Sequence, residues 1–429
     1  VSIALSKPTG KRWGILGLIF FTVVINYMDR SNISIAASAL KEDLGISNAQ
    51  MGVIFSAFAW TYAALQIPGG IVVDKIAPRI LYPIILVAWS LATLVQGMVS
   101  SVAAFIGCRA TIGVFEAPSY PCNNRIVTIW FPESERATAI GIYTSGQYIG
   151  LAFLTPILVA IQTSYGWRGL FIISGVIGIV WAVVWYTFFR QPLDHKGVNQ
   201  EELQLIEAGG GLLGSSEKEE EKKKISWSEL KQAFQYRKLW GIYIGQFCIG
   251  TLAIFFLTWF PTYLVEFRGI QFEKSGFMAA IPFLAAFSGV LLSGFTSDYI
   301  LKRGYSNEIA RKAPIIVGML LSMVIIAANY TDDNNMVIFF LALAFLGNGF
   351  ASITWVFVSL LAPKELIGLV GGVFNFIGGL SAVLTPIVIG ILVNDGDFRP
   401  ALFYIAAITL VGLFSYIFLV GKVERLELK

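Results

Sequence analysis

Charge is scarce in this chain. Aspartate, glutamate, lysine and arginine make up 14% of its 429 residues, while hydrophobic residues make up 56%. Soluble domains carry about a quarter charged residues, so this balance excludes an ordinary soluble protein and implies a polytopic membrane chain. Histidine is almost missing. The single one, His195, falls in a loop, which leaves the apolar segments without a histidine for metal or catalytic work. Cysteine is rare too: Cys108, Cys122 and Cys248 lie in apolar segments without metal or redox spacing, and read as small packing residues. The net charge of +4 carries no basic nucleic-acid signature. A cleavable signal is also lacking, because the first apolar run is too long for a signal core and has no small-residue cleavage site. That run is expected to stay as a helix. The numbering begins at Val1 rather than Met, so some residues are expected to precede it.

What the chain has is long apolar runs. Twelve can be placed, starting near Trp13, Gln50, Ile80, Ser101, Ala137 and Gly169, then near Lys238, Ser275, Ala313, Met336, Ile367 and Pro400. The pattern predicts an all-α fold of twelve transmembrane helices in two six-helix halves. Residues 1–190 form the first, 191–237 a central loop and 238–429 the second. The central loop holds a turn at Gly209, Gly210 and Gly211 and a charge run at 217–224, read as a solvated linker. Lysine and arginine set the orientation. With both termini and the central loop in the cytoplasm, that side holds Lys7, Lys11, Arg12, Lys75, Arg79, Arg125, Arg136, Lys302, Arg303, Arg311, Lys312, Lys364, Lys422, Arg425 and Lys429. The other side keeps only Lys41, Arg168, Arg268, Lys274 and Arg399.

Four ionisable residues fall at membrane depth: Asp29, Arg30, Arg109 and Glu116. A charge there costs from about 3 to more than 10 kcal/mol, so none of them faces lipid. Arg109 and Glu116 are seven apart, on one helix face and roughly 10 Å from each other along the axis. That is too far for a simple intrahelical pair, so each needs another partner. A buried charge network locking the first helix to the fourth would explain them; so would function. Arginine keeps its charge and presents a planar fork for a carboxylate, so Arg30 and Arg109 are candidate anchors for an anion. Desolvation favours the neutral form of a buried carboxylic acid, so Asp29 and Glu116 are candidate proton carriers. Together they describe proton-coupled transport of an anion. Tyr27, Tyr62, Gln147, Gln246, Asn348, Thr354, Trp355 and Asn375 fall near mid-depth on separate helices. Singly, each reads as a helix–helix hydrogen bond; collectively they suit a small polyhydroxylated acid. Glycines at 368, 371, 372, 378 and 379 permit close helix approach or bending.

The halves share a faint repeat. Gly70, Asp74, Lys75 and Arg79 end the second helix, and Gly294, Asp298, Lys302 and Arg303 end the eighth. This resembles the cytoplasmic signature of the major facilitator superfamily, in which these residues form a gating loop. Ala77 and Pro78 depart from its usual glycine and basic residue. Further stretches resemble the anion:cation symporters of that superfamily, and among them bacterial sugar-acid/proton symporters, the D-galactonate and related aldarate or hexuronate carriers. They are Asn26 to Arg30, Phe55 to Trp60, Arg109 through Glu116 to Pro118, Asn123 to Arg125, Tyr143 to Gln147, Ser352 to Trp355 and Gly371 to Asn375. The resemblance implies a bacterial inner-membrane carrier in which Asp29 and Glu116 carry protons. It further implies that Arg30 contacts substrate, that Tyr27, Tyr62, Gln147, Thr354, Trp355 and Asn375 line the site, and that Arg109 pairs near Glu116 or with substrate. The expected partners are a sugar-acid anion, protons and the lipid bilayer, with the chain acting as a monomer and using no cofactor or metal. An exchanger or uniporter of the same fold would keep the arginines without needing both acids. A membrane enzyme would need a nucleophile–base pair or a metal cluster, and a sensor a soluble output domain; neither is visible.

Overall fold

The computed structural model describes residues 7–213, 227–363, 366–393 and 396–427. The charge run at 217–224 and Lys364 lie outside the described residues. The first six passes are α1 (Lys11–Leu44), α2 (Asn48–Ala64) with α3 (Gln66–Lys75), α4 (Pro78–Gln96), α5 (Val102–Glu116) with α6 (Ser119–Trp130), and the two parts of α7 (Glu133–Phe188). Helix α7 is interrupted at Gly166, whose φ of 71° lies in the left-handed region that glycine adopts without strain. That kink separates the fifth pass from the sixth. Between α2 and α3 the axis bends by 57° next to Pro68, which has no N–H for the helical ladder.

Two short helices, α8 (Gln200–Ala208) and α9 (Trp227–Gln235), lie between the halves of the sequence. The second set of passes begins with α10 (Arg237–Thr258), continued by α11 (Phe260–Thr262) and a π turn over Tyr263–Phe267. It goes on through α12 (Phe272–Lys302), α13 (Asn307–Ser322) with 3-10 turns to Tyr330, and α14 (Asn334–Phe350). A 3-10 stretch over Ala351–Thr354 then leads into α15 (Trp355–Leu361), followed by α16 (Ile367–Leu392) and α17 (Arg399–Phe414). Joined at these breaks, the helices make the twelve passes expected from the hydrophobic pattern.

The chain forms two compact units that do not follow chain order. The first comprises the described residues within 1–32, 60–150 and 165–222, and the second those within 33–59, 151–164 and 223–427. In the first, Tyr82 packs on Trp185 at 4.4 Å between ring centroids and Trp185 stacks on Phe189 at 4.9 Å. In the second, Phe256 stacks on Phe345 at 4.0 Å, and a buried cluster including Tyr243, Phe357, Phe374 and Tyr416 fills the space among α10, α15, α16 and the turn after α17. All three cysteines are free thiols; Cys122 and Cys248 are buried and Cys108 partly so.

The part of the central segment before the charge run packs against the first unit's helices. Glu202 of α8 is completely enclosed. Its carboxylate accepts hydrogen bonds from the backbone N–H groups of Lys11 and Arg12, both at 3.1 Å, and from the Thr9 hydroxyl. The glycine turn is docked as well: the Gly209 carbonyl accepts from the Glu133 N–H at 2.8 Å and the Gly210 carbonyl from Arg136 at 2.6 Å. His195 sits edge-on to Trp130 at 5.8 Å, and its Nδ1 accepts from the Gly197 N–H.

Candidate functional site

Helix α1 carries Tyr27, Asp29 and Arg30, and α5 brings Arg109 and Glu116 against them. Asp29 and Glu116 are completely enclosed, Arg109 is 3% exposed and Arg30 9%. The Arg30 Nε donates to Glu116 Oε2 at 2.8 Å. Its guanidinium also lies over two aromatic faces, Tyr27 at 5.0 Å and Tyr62 at 4.8 Å to the ring centroids. A planar cation near two π faces, bonded through Nε to a carboxylate, is held by groups that each favour its charge. The Tyr27 hydroxyl donates to Gln147 Oε1 at 2.7 Å, so α1 is tied to the first part of α7 beside the arginine.

Asp29 faces differently from its neighbour Arg30, because successive helical residues are about 100° apart. Its Oδ2 accepts from the Trp89 indole N–H of α4 at 3.1 Å, and its backbone carbonyl accepts from Arg109 Nη1 at 3.3 Å. Arg109 and Glu116 thus each reach α1, Glu116 through Arg30 and Arg109 through the Asp29 carbonyl. The residue missed from the sequence is Trp89. A tryptophan in an apolar helix is unremarkable by composition, and only its indole N–H reveals the contact with Asp29. Two further buried bonds flank the cluster: Asn26 Nδ2 donates to Ser119 Oγ at 3.3 Å, and the Tyr82 hydroxyl to Asn123 Oδ1 at 2.8 Å.

Thr354, Trp355 and Asn375 belong to the second unit. The 3-10 stretch breaks the tenth pass and ends at Thr354, which is buried, and the Thr354 hydroxyl donates to Gln246 Oε1 of α10 at 2.9 Å. Trp355 begins α15 at 51% exposure, edge-on to Phe374 at 4.9 Å. Trp355, Gly371, Gly372 and Asn375 line a cavity of about 450 Å³ together with Val358, Ser359, Ile367 and Gly368. At Gly368 and Gly372 a Cβ would meet open space, so these glycines widen the cavity wall rather than admit a neighbouring helix. Asn348 lies apart, packed among Cys248, Ser322 and Thr409.

The signature loops also sit within their own units. Arg125 of α6 donates to the Val73 carbonyl beside Asp74 and Lys75, and Arg79 lies over the Tyr186 ring at 5.3 Å. Gly70 has open space where a Cβ would stand, whereas Gly69 meets Pro118 at 3.2 Å, so the close approach falls on the neighbouring glycine. Pro78 opens α4 at its first position, where proline's missing N–H costs nothing. In the second copy, Arg311 Nη1 bonds Asp298 Oδ1 at 3.3 Å and Ser297 Oγ at 2.9 Å. Among the described residues no group of three histidines, cysteines or acids is placed to hold a metal.

Comparison with known proteins follows the same lines. The profile of the Major Facilitator Superfamily matches residues 19–386. The chain is 50% identical to a D-galactonate transporter of Escherichia coli O6:H1 over 427 residues, covering 99% of each chain. It is 41% identical to a probable galactarate/D-glucarate transporter of Bacillus subtilis strain 168, covering 99% of this chain and 95% of the relative. Among solved structures, it superposes on a bacterial homolog of the human lysosomal transporter Spinster, in an inward-facing and unoccupied conformation. The TM-score is 0.77 and identity 19%, over 97% of this chain and 98% of the other.

Proposed function

The chain belongs to the major facilitator superfamily, and from that premise we propose that it is a proton-coupled symporter importing D-galactonate or a related hexonate, aldarate or hexuronate. It is a membrane transporter and not an enzyme, as its family and relatives are. The coupling reading rests on one observation, the buried bond between Arg30 and Glu116 at 2.8 Å. A guanidinium edge engaged by a buried carboxylate is not available to grip a second one. Protonation of Glu116 removes that competing charge and frees the fork for the carboxylate of the substrate. When substrate leaves, Arg30 returns to Glu116, which favours the ionised acid and expels its proton. Asp29 provides the second proton site, with Arg109 bonded to its carbonyl.

Substrate-binding roles follow for Tyr27, Tyr62 and Gln147 beside Arg30 in the first unit, and for Thr354, Trp355 and Asn375 in the second. The names of the relatives agree with a polyhydroxylated acid: one is a galactonate transporter and another a probable galactarate/D-glucarate transporter. The two sequence halves act as repeats that rock by alternating access, working as a monomer with both termini in the cytoplasm of a bacterial inner membrane. Gly70, Asp74, Lys75, Arg79 and Asp298 gate the cytoplasmic face, where Arg125 and Arg311 supply the bonds that must loosen.

The test uses purified protein in vesicles with labelled D-galactonate, an imposed pH gradient and a panel of competing sugar acids. Wild type should accumulate galactonate against its gradient. Glu116→Gln keeps the shape of the protonated acid but has no proton to release, so it should lose accumulation while retaining counterflow exchange. Wild-type accumulation by Glu116→Gln would remove the coupling role and leave an exchanger or uniporter.

A further inference from the structure

Asp29 is completely enclosed, so a proton needs a way to reach it. Beyond it, toward the end of α4, lies a run of buried polar groups without hydrogen-bond partners among the described residues. The passes containing α1 and α4 are separated by one returning pass and therefore run in the same direction, and the Trp89–Asp29 bond places them side by side. Trp89, Thr93 and Gln96 recur at spacings of four and three, one stripe of α4 facing α1. The Thr93 hydroxyl lies beside the Asp29 carboxylate. On α1, Asn32 stands about 4.5 Å further along than Asp29, and Gln96 the same distance beyond Thr93.

Asn32, Thr93 and Gln96 are all 0% exposed. Neither polar atom of Asn32, neither of Gln96, the Thr93 hydroxyl nor Asp29 Oδ1 has a hydrogen-bond partner among the described residues. A buried unsatisfied polar group costs about 1–3 kcal/mol, and native proteins meet that cost with ordered water. Packing alone does not explain these residues, since leucine would fill the same volume without the penalty. Gln96 is the last residue of α4, and the following loop reaches solvent at Met98, Ser100 and Ser101.

We propose that Thr93, Asn32 and Gln96 position a file of water molecules that carries protons between Asp29 and the α4–α5 loop. The proposal rests on the proton-coupled reading above. In each step a water or hydronium donates one proton along the file and accepts one behind it. The Asp29 carboxylate gains the proton that the solvent end supplies, and no other bond forms or breaks. The charged groups facing Asp29 are Arg109 and Glu116 of α5, with Arg30 bonded to Glu116. A sodium ion on the same oxygens would lie beside the Arg109 guanidinium, and repulsion between the two cations disfavours it.

The test measures initial galactonate uptake by the full chain in vesicles across a range of external pH, together with counterflow at equal pH on both sides. Gln96→Leu and Asn32→Leu should slow proton-driven uptake about tenfold at neutral pH, the effect of a barrier raised by roughly one hydrogen bond. Acidifying the outside should restore the rate, moving the pH profile to the acid side, while counterflow continues. Asn32→Ser, which keeps a hydroxyl for water, should recover most of the loss. Unchanged rates and pH profile in both leucine variants would overturn the proposal. So would equal loss of uptake and counterflow that acid does not restore, which marks packing. Uptake driven by a sodium gradient at fixed pH, and abolished by Asn32→Leu, would replace it with a cation site. If wild type itself ignores the pH gradient, the coupling reading fails and takes the water file with it, an outcome distinct from failure in the variants alone.

Discussion

Arg30 lies over the rings of Tyr27 and Tyr62 while its edge engages Glu116, and each contact uses a different property of the guanidinium. The faces use its flatness and the edge an Nε–H fixed in the plane of the group. Lysine at this position keeps the charge and loses both. Arg30→Lys should therefore weaken galactonate binding about ten- to a hundredfold, the loss of one charge-assisted bond at roughly 1.5–3 kcal/mol. Equilibrium binding in detergent checks this, and unchanged affinity would move the anchor to Arg109. The four charges were legible in the sequence because their cost at membrane depth does not depend on the partner. Their pairing was not, since Arg30 and Glu116 are 86 positions apart and only helix packing joins them. Gln147 was legible as a mid-depth amide; that it already accepts from Tyr27 could not be read from either residue. The Asn32, Thr93 and Gln96 stripe escaped for a different reason: neutral polar residues in apolar helices have a bland explanation until their missing partners are seen.

At the scale of elements, the N-terminus of α1 is capped from far along the chain. The first N–H groups of a helix have no partner within it, and here the Glu202 carboxylate accepts from those of Lys11 and Arg12. Burial alone would push the Glu202 carboxyl up. The bonds from the Thr9 hydroxyl, the two N–H groups and the Arg12 guanidinium outweigh burial and hold it below the ordinary glutamate range. With the folded value below the unfolded one, the stabilisation is complete above the ordinary range and is lost as pH falls through the lowered value. Glu202→Gln should lower the apparent unfolding midpoint at neutral pH, by an amount equivalent to about 0.5–2 kcal/mol for a lost cap. It should also flatten the decline of that midpoint in acid, as followed by thermal unfolding in detergent across acidic pH. Equal acid slopes in variant and wild type would place the cap's contribution elsewhere. Little of this was visible beforehand, because charged residues near a linker read as solvated. The kink in α7 was foreseen as two separate segments, since Gly166 lies between two runs each long enough to cross a bilayer.

For the molecule as a whole, hydrophobic runs determined the twelve passes, but not which ends of those passes pack together. A carrier that alternates must support two sets of contacts with one sequence, so no single pattern of complementary faces is written along it. In the structure, residues 33–59 and 151–164 of the first half join the second half in one unit. Lys41 bonds Glu266 at 2.5 Å, Asn48 Nδ2 donates to the Val393 carbonyl at 3.0 Å, and Phe55 meets Trp259 edge-on at 5.3 Å. At the centre of this contact Gly52 of α2 faces α16. A Cβ at Gly52 would stand 2.4 Å from the Pro386 carbonyl oxygen and 3.1 Å from the Ile387 Cα, both backbone atoms that cannot rotate away. Gly52→Val should therefore disfavour this arrangement by roughly 1–3 kcal/mol while leaving untouched any state in which these segments part. A reporter is at hand in Met51, which is 0% exposed here. Met51→Cys alone should react slowly with an impermeant maleimide, and should react faster when Gly52→Val is added, as the population shifts toward parted segments. If transport proceeds by the alternating access proposed above, exchange of galactonate should slow in the same protein, because each turnover would pass through the disfavoured contact, while binding in detergent persists. Slow labelling together with wild-type exchange in the double variant would show that the α2–α16 contact accommodates the valine and does not depend on Gly52.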